Sequence, residues 1–197
     1  GGITKTDKLD TLTICDVLSS SQRVKSYRIT KVDRFDMYEQ KQLTREHHNL
    51  KEQLNVLKNR LQKSIDIVFP EFNSLFDSKY GTVYVNILKE FGSADAVARA
   101  DIRTIRKCFD TKGKGRRIAL TAEKLKEAAR NSVGFPSTAE VVQIKHLINQ
   151  VKLIEEQISE IDKKIEEFSI SNNSPILSIP GISHFSGTSI LAELGDI

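Results

Sequence analysis

The chain has 197 residues, 39% of them hydrophobic, and a formal net charge of +4, which allows one large domain or two small ones with an ordinary core. Every apolar stretch is shorter than the roughly 20 residues that a membrane-spanning helix needs, so the sequence predicts a soluble protein. Cys15 and Cys108 have no His or second Cys at metal-site spacing. This argues against a disulfide framework or a zinc site and favours a reducing cytoplasm.

Positive charge is concentrated in one part of the chain. Residues 99–130 contain 11 Lys or Arg against 4 Asp or Glu, whereas residues 139–197 contain 4 against 9. A basic block beside acidic helices predicts one surface for a polyanion and others for solvent or protein partners. Basic charge is a weak indicator by itself, because many soluble proteins have a pI near the value of 9.0 found here.

The first 35 residues combine a helical pattern over 6–20 with a loose alternation over 22–35 that fits a strand or an extended loop. Asp7 and Asp10 are three residues apart, so on a helix both carboxylates would lie on one face, within reach of one divalent ion. The alternative is that they only complement the positive N-terminal end of the helix dipole. Phosphodiester chemistry would need further acidic ligands from elsewhere.

Two long helices are predicted from heptad patterns. The first spans about residues 36–68, ends before Pro70 and has its stripe at Leu43, His47, Leu50, Leu54, Leu57 and Leu61. The second follows Pro136, is capped by Ser137 with Glu140 completing a capping box, and has its stripe at Ile144, Leu147, Val151, Ile154, Ile158, Ile161, Ile165 and Phe168. Either stripe fits a coiled coil or a core-facing bundle helix. The two helices are expected to pair as an antiparallel hairpin or across a dimer, and His47 is expected to be a seam residue.

Residues 71–135 form a predicted helical insert, with helical patterns over 83–91, 94–109 and 118–131. A basic run with two glycines separates the last two patterns and contains Lys112, Lys114, Arg116 and Arg117. It lacks the length and the Lys-Ser/Thr ending of a nucleotide-binding Walker loop. The run is therefore either a solvated loop or a contact for the phosphate backbone of a nucleic acid.

The C-terminal part begins with a predicted polar linker over residues 169–174, after which Ser174 is expected to cap a helix that starts at Pro175. A tight turn over 179–182 and a helix over 186–194 follow. This arrangement looks like a helix-hairpin-helix, in which the Gly181 turn would let backbone N–H groups approach a phosphate. Ser183 stands where that hairpin usually has a second glycine, so packing of two short helices is the alternative.

Four motifs in order along the chain resemble the insertion sequence 110 family of transposases. They are KTDKLDT at residues 5–11, a leucine-rich helix ending in FPE at 69–71, SIPGIS at 178–183 and LAELGD at 191–196. The resemblance implies a mainly α chain that carries the end of a RuvC-like α/β domain over 1–35. It further implies a coiled-coil region over 36–168 and the start of a helix-hairpin-helix-containing transposase domain over 169–197.

The resemblance also implies a function. Asp7 and Asp10 would be the last two members of an acidic set that holds Mg²⁺, with the other two expected upstream of Gly1 and a serine nucleophile downstream of Ile197. The full-length enzyme would cut and rejoin DNA in the bacterial cytoplasm at the nucleoid, guided by a structured noncoding RNA and assembled as a dimer or tetramer. The 197-residue chain alone would be inactive. The alternatives are a non-catalytic nucleic-acid-binding module and a coiled-coil assembly protein.

Overall fold

The computed structural model describes residues 31–111, 119–172 and 180–194. Within these ranges every regular element is helical, as the prediction of a mainly α chain requires, and no strand is present. The elements are α1 (Lys31–Val68), a 3-10 helix (Phe72–Leu75), α2 (Thr82–Glu90), α3 (Ala94–Arg99), α4 (Ile102–Phe109), α5 (Ala122–Arg130), α6 (Thr138–Asn172) and α7 (His184–Leu194). No helix in the described part of the chain is long and apolar enough to cross a membrane.

The two long helices pair with each other as an antiparallel hairpin. Lys58 Nζ lies 2.9 Å from Glu155 Oε1, and towards the start of α1 His47 Nε2 lies 3.1 Å from Asp162 Oδ1. The predicted stripes face each other and supply the buried seam residues Leu50, Leu54, Leu61, Val151, Ile158 and Ile165. The seam is thus closed within one chain, and these stripes do not need a second copy to cover them. Self-association of the protein stays a prediction.

Helix α1 is longer than the sequence pattern indicated. It begins at Lys31, so the expectation of a strand or extended loop is wrong for residues 31–35. No Gly or Pro separates these residues from the heptad pattern, and the described chain offers no strand for them to pair with. The helix ends at Val68 as predicted. Phe69 directly precedes Pro70, and the ring of a proline disfavours the α conformation of the residue before it.

The predicted insert shares one hydrophobic core with the base of the hairpin. Helices α2 to α5 pack their apolar faces against the end of α1 and the start of α6. Four rings of this core contact one another at tilted or edge-on angles, with centroids 4.9 to 5.4 Å apart, namely Phe69, Phe72, Phe76 and Tyr84. The insert is therefore held rigidly against the hairpin.

The single helix predicted for residues 94–109 is two helices. Ala100 is extended (ψ 150°), and Asp101 caps α4 by accepting a hydrogen bond from Arg103 N at 2.7 Å. Lys126 Nζ of α5 donates a hydrogen bond to the Ala100 carbonyl oxygen at 2.6 Å, so the carbonyl at the break between α3 and α4 has a hydrogen-bond partner. The helical spacing of apolar residues runs through the break, which is why the sequence predicted one helix. The preference of Asp for the N-cap position is the sequence signal that indicates where α4 begins.

Helix α6 begins as predicted but ends later. Ser137 Oγ accepts a hydrogen bond from Glu140 N at 3.3 Å, which confirms the cap. The predicted linker is wrong for residues 169–172, which continue the helix to Asn172. Ser169 is buried, and its Oγ lies 2.9 Å from His184 Nδ1. Serine favours turns, but here this tertiary hydrogen bond satisfies the hydroxyl group within the helix. The predicted helix start at Ser174 and Pro175 lies outside the described residues.

Candidate nucleic-acid interface

Helices α4 and α5 lie against each other and frame the basic run between them. Thr121 begins α5 by accepting a hydrogen bond from Lys124 N at 3.3 Å. Arg106 of α4 binds Glu123 of α5, with Nη2 and Nε at 2.6 and 3.0 Å from Oε1. The hydrogen bond from Arg106 lowers the pKa of Glu123. This pair joins the two ends between which residues 112–118 run.

The outer face of the α4–α5 pair is basic. Ile105 and Cys108 of α4 and Leu125 of α5 point into the core. The spacing of these apolar residues leaves the exposed face of each helix to charged side chains. Four exposed basic side chains have no carboxylate partner among the described residues, namely Arg103, Lys107, Lys124 and Arg130. We call this face the α4–α5 surface, and the run 112–117 connects its two helices in sequence.

The predicted phosphate contacts Lys112, Lys114, Arg116 and Arg117 lie outside the described residues. The structure nevertheless describes both ends of that run, where Lys107 precedes it on α4 and Lys124 follows it on α5. Each of these lysines is adjacent in sequence to one member of the Arg106–Glu123 pair. Sequence reasoning counted these lysines in the basic block without singling them out. The helical period of α4, with Arg103 and Lys107 four residues apart, is the signal that could have found them.

Asp7 and Asp10, the predicted Mg²⁺ ligands, also lie outside the described residues. Within the described ranges no group of three or more His, Cys, Asp or Glu side chains is placed to hold a metal ion. His47 is a seam residue, as predicted, and is only 9% exposed. The neighbouring His48 points elsewhere and its Nε2 lies 3.3 Å from Glu52 Oε1, so the two histidines do not form a metal pair.

Gly181 sits in a turn that requires a glycine. Its φ is +91°, and a Cβ built on it would meet no atom within 4 Å, so the turn is open to solvent. Ser183 then caps α7, because its Oγ accepts a hydrogen bond from Ser186 N at 3.1 Å. The hydroxyl therefore occupies an N–H group that a bound phosphate would otherwise use. The helix that was predicted to precede the turn lies outside the described residues.

Helix α7 is docked on the open end of the hairpin by polar contacts. The Phe185 ring centroid lies 4.3 Å from that of His47 on α1, and His184 is bonded to Ser169 on α6. Lys41 Nζ lies 3.4 Å from Glu193 Oε2. The surrounding buried side chains include the polar residues Gln40, Thr44 and Thr188. Among the described residues, the docking of α7 thus includes a hydrogen bond, an ion pair and an aromatic contact.

Comparison of the chain with protein-family models and with curated proteins found no match in either. The four sequence motifs therefore remain a resemblance.

Proposed function

We propose that this chain binds the phosphate backbone of nucleic acid through the α4–α5 surface, as part of a transposase of the insertion sequence 110 type. Four motifs in family order support the transposase assignment. The proposed partners are DNA and a structured guide RNA, and the proposed activity of the full-length enzyme is cutting and rejoining of DNA strands. The RuvC-like and helix-hairpin-helix parts belong to the same proposal.

The observation that carries the binding proposal is a run of basic residues that connects two packed helices in sequence. Its four charges are Lys112, Lys114, Arg116 and Arg117, and Lys107 of α4 and Lys124 of α5 flank them in sequence. Basic side chains that neutralise phosphates release several counterions, which drives sequence-independent binding. Because α4 and α5 are packed on each other, little of these two helices has to be ordered on binding.

A binding experiment tests this proposal against the coiled-coil assembly alternative. Changing Lys112, Lys114, Arg116 and Arg117 together to Gln should weaken binding to duplex DNA and to structured RNA and should flatten the dependence of affinity on salt. Changing four exposed lysines of the hairpin, Lys51, Lys63, Lys163 and Lys164, to Gln is the matched control for net charge. Wild-type protein that binds neither nucleic acid at low salt would exclude the proposal.

The catalytic part of the proposal is tested in a longer protein that contains the acidic and serine motifs expected on either side. Mg²⁺ would supply activation of the attacking oxygen and stabilisation of the leaving oxygen. Asp7→Asn and Asp10→Asn keep the side-chain shape but remove the charge, so each should abolish strand exchange while leaving nucleic-acid binding intact. Wild-type activity in both variants would mean that the two residues only complement a helix dipole and would favour the non-catalytic binding module.

A further inference from the structure

Exposed apolar side chains are concentrated on one face of the hairpin, where a groove runs between α1 and α6. Val56 of α1 and Leu153 and Val142 of α6 line this groove and are 47% to 59% exposed. Arg60 and Gln150 line both halves of the groove, so the two halves are continuous. Single exposed apolar side chains are normal on a protein surface, whereas several along one groove indicate a surface that another molecule covers.

The groove face of α1 has an exposed apolar cluster at each end. Phe35 and Tyr38 form the start cluster, and Tyr38 lies five full helical turns before Val56, on the same face. Both rings are exposed although α7 docks at the same end of the hairpin. Ile67 lies about three turns after Val56 and forms the end cluster with Phe135, whose N donates a hydrogen bond to the Ile67 carbonyl oxygen at 2.7 Å. Both residues of the end cluster are exposed.

Between the two clusters, this face carries opposite charges at equal distances from its centre. Glu46 and Arg60 each lie seven residues, or two helical turns, from Gln53, and all three residues line the groove. Neither Glu46 nor Arg60 has an ion-pair partner among the described residues. They are about 21 Å apart along α1, at about 1.5 Å per residue, so they do not pair within one chain.

We propose that a second copy of the chain docks on this face, with the two α1 helices antiparallel and a two-fold axis at Gln53. Positions equally far from Gln53 on opposite sides then face each other across the axis. Glu46 of each copy faces the partner's Arg60, and the start cluster of each copy meets the end cluster of the other. A two-fold contact of this kind closes on itself, because both copies use the same surface. The inference does not depend on nucleic-acid binding.

The charges of the groove favour this occupant and this orientation. Parallel α1 helices would place Glu46 opposite Glu46 and Arg60 opposite Arg60, which is repulsive at both positions. A nucleic-acid strand in the groove would lie against the carboxylates of Glu46 and Glu52 and against apolar side chains. The face is also separate from the heptad stripes, which are closed within the hairpin. The predicted homo-oligomer thereby acquires a surface and a register.

Exchange of the two charges tests the register by sedimentation equilibrium. Arg60→Glu or Glu46→Arg alone should raise the dimer dissociation constant by about a hundredfold or more, because like charges then face each other at both symmetric positions. A mixture of these two variants should form a heterodimer with the affinity of the wild-type dimer, since an oppositely charged pair is restored at both positions.

The controls for this experiment are Lys163→Glu and Glu166→Arg. They make the same charge changes at exposed positions of α6 that line neither the groove nor the seam, so each should leave the dimer dissociation constant unchanged. Wild-type protein that stays monomeric at every concentration would overturn the proposal, as would a mixture of folded variants that associates no better than its components. Arg60→Glu that weakens duplex DNA binding but not dimerisation would assign the groove to nucleic acid and would also overturn it.

Chemical crosslinking measures the register without changing a charge. In protein whose two cysteines are replaced by Ala, Gln53→Cys should be joined to its counterpart across the two-fold axis by a short bismaleimide. Gln42→Cys is exposed on the same face of α1 but about 33 Å from its counterpart along the helix axis, so it should give no crosslinked dimer. Crosslinked dimer from both variants would indicate parallel helices, and crosslinked dimer from neither would place the contact elsewhere. Each of these two results would overturn the proposal.

Discussion

The ring of Phe185 on α7 lies against the ring of His47 on α1, with their centroids 4.3 Å apart and their planes tilted by 40°. The other side of His47 is held by Asp162, whose Oδ1 is 3.1 Å from Nε2. One buried imidazole thus joins three helices at the open end of the hairpin. Its protonation state should therefore influence how firmly α7 is docked.

We predict that the folded chain loses stability in mildly acidic solution through His47. Burial lowers the pKa of His47 from 6.5, although Asp162 opposes this, while Lys51 and His48 add to it. The unfolded chain then binds the proton more readily than the folded chain. The stabilising contribution is complete above pH 6.5 and is lost as pH falls from that value through the folded pKa.

Urea unfolding at about pH 8 and about pH 5.5 measures this effect. The His47→Gln variant should show a smaller loss of unfolding free energy between the two conditions than the wild-type protein. His146→Gln removes an exposed histidine of α6 that is not among the groups acting on His47, and it should leave the wild-type loss unchanged. A His47→Gln variant with the full wild-type loss would show that other groups cause the pH dependence.

A second prediction concerns Glu71, which fastens the end of α1 to the segment before α6. Its carboxylate accepts hydrogen bonds from Ser132 Oγ at 2.5 Å and from Val133 N at 3.2 Å. Burial raises the pKa of Glu71, but the bonds from Ser132 and from backbone N–H groups outweigh it and lower the pKa below 4.5. The contribution of this carboxylate is therefore present above pH 4.5 and is lost as pH falls through the folded pKa.

A charge-removing substitution tests the contribution of the Glu71 hydrogen bonds to stability. Glu71→Gln should lower the free energy of unfolding at neutral pH by about 1 kcal/mol, because a charge-assisted hydrogen bond is replaced by a weaker neutral one. Glu167→Gln, at an exposed position of α6, is the control and should stay within about 0.5 kcal/mol of wild type. Equal unfolding free energies for the two variants would show that the hydrogen bonds of the Glu71 carboxylate do not stabilise the fold.

A third prediction concerns Gly134 in the same segment, where the chain passes close to the end of α1. A Cβ on Gly134 would lie 2.3 Å from the Val68 carbonyl oxygen and 2.6 Å from its carbon, and both are backbone atoms. Gly134→Ala should therefore displace the segment and lower the unfolding free energy by about 1–3 kcal/mol. Gly81→Ala, where no atom lies within 4 Å, is the control and should cost a few tenths of a kcal/mol. A Gly134→Ala variant as stable as wild type would mean that the approach to Val68 is looser than described.

The long-range pattern of the hairpin could be predicted from sequence because heptad spacing reports burial directly. The stripe from Leu43 to Leu61 and its partner from Ile144 to Phe168 indicated the paired helices, and Ser137 indicated where α6 begins. The short elements were harder. The break at Ala100 depends on the Asp101 cap and on Lys126, a residue 26 positions away. Such a contact leaves no mark in local periodicity.

At the candidate site, too, local sequence predicted only the features that depend on neighbouring residues in the chain. Charge counting found the basic run because its residues are consecutive. The Arg106–Glu123 pair joins residues 17 positions apart, so local sequence patterns do not show it. In the same way, Ser169 was interpreted as a linker residue because its partner, His184, lies on another helix.

The last prediction distinguishes the seam of the hairpin from its outer face. Ile158 is 4% exposed in the seam, whereas Leu153 on the same helix is 54% exposed. Ile158→Ala should lower the unfolding free energy by about 2–4 kcal/mol, because it removes buried apolar contacts and leaves a cavity between two helices that cannot close fully. Leu153→Ala should change it by less than about 0.5 kcal/mol at protein concentrations where the chain is monomeric.

The same two variants test whether the protein self-associates through its coiled coil. If association uses the exposed face, Leu153→Ala should shift the monomer–oligomer equilibrium seen in light scattering towards monomer, and the unfolding midpoint of the wild type should rise with concentration. If the seam is exchanged between copies instead, Ile158→Ala should weaken association and Leu153→Ala should not. A wild-type mass equal to the monomer at every concentration would exclude both forms of the predicted homo-oligomer, and the hairpin would then serve only to hold the α4–α5 surface.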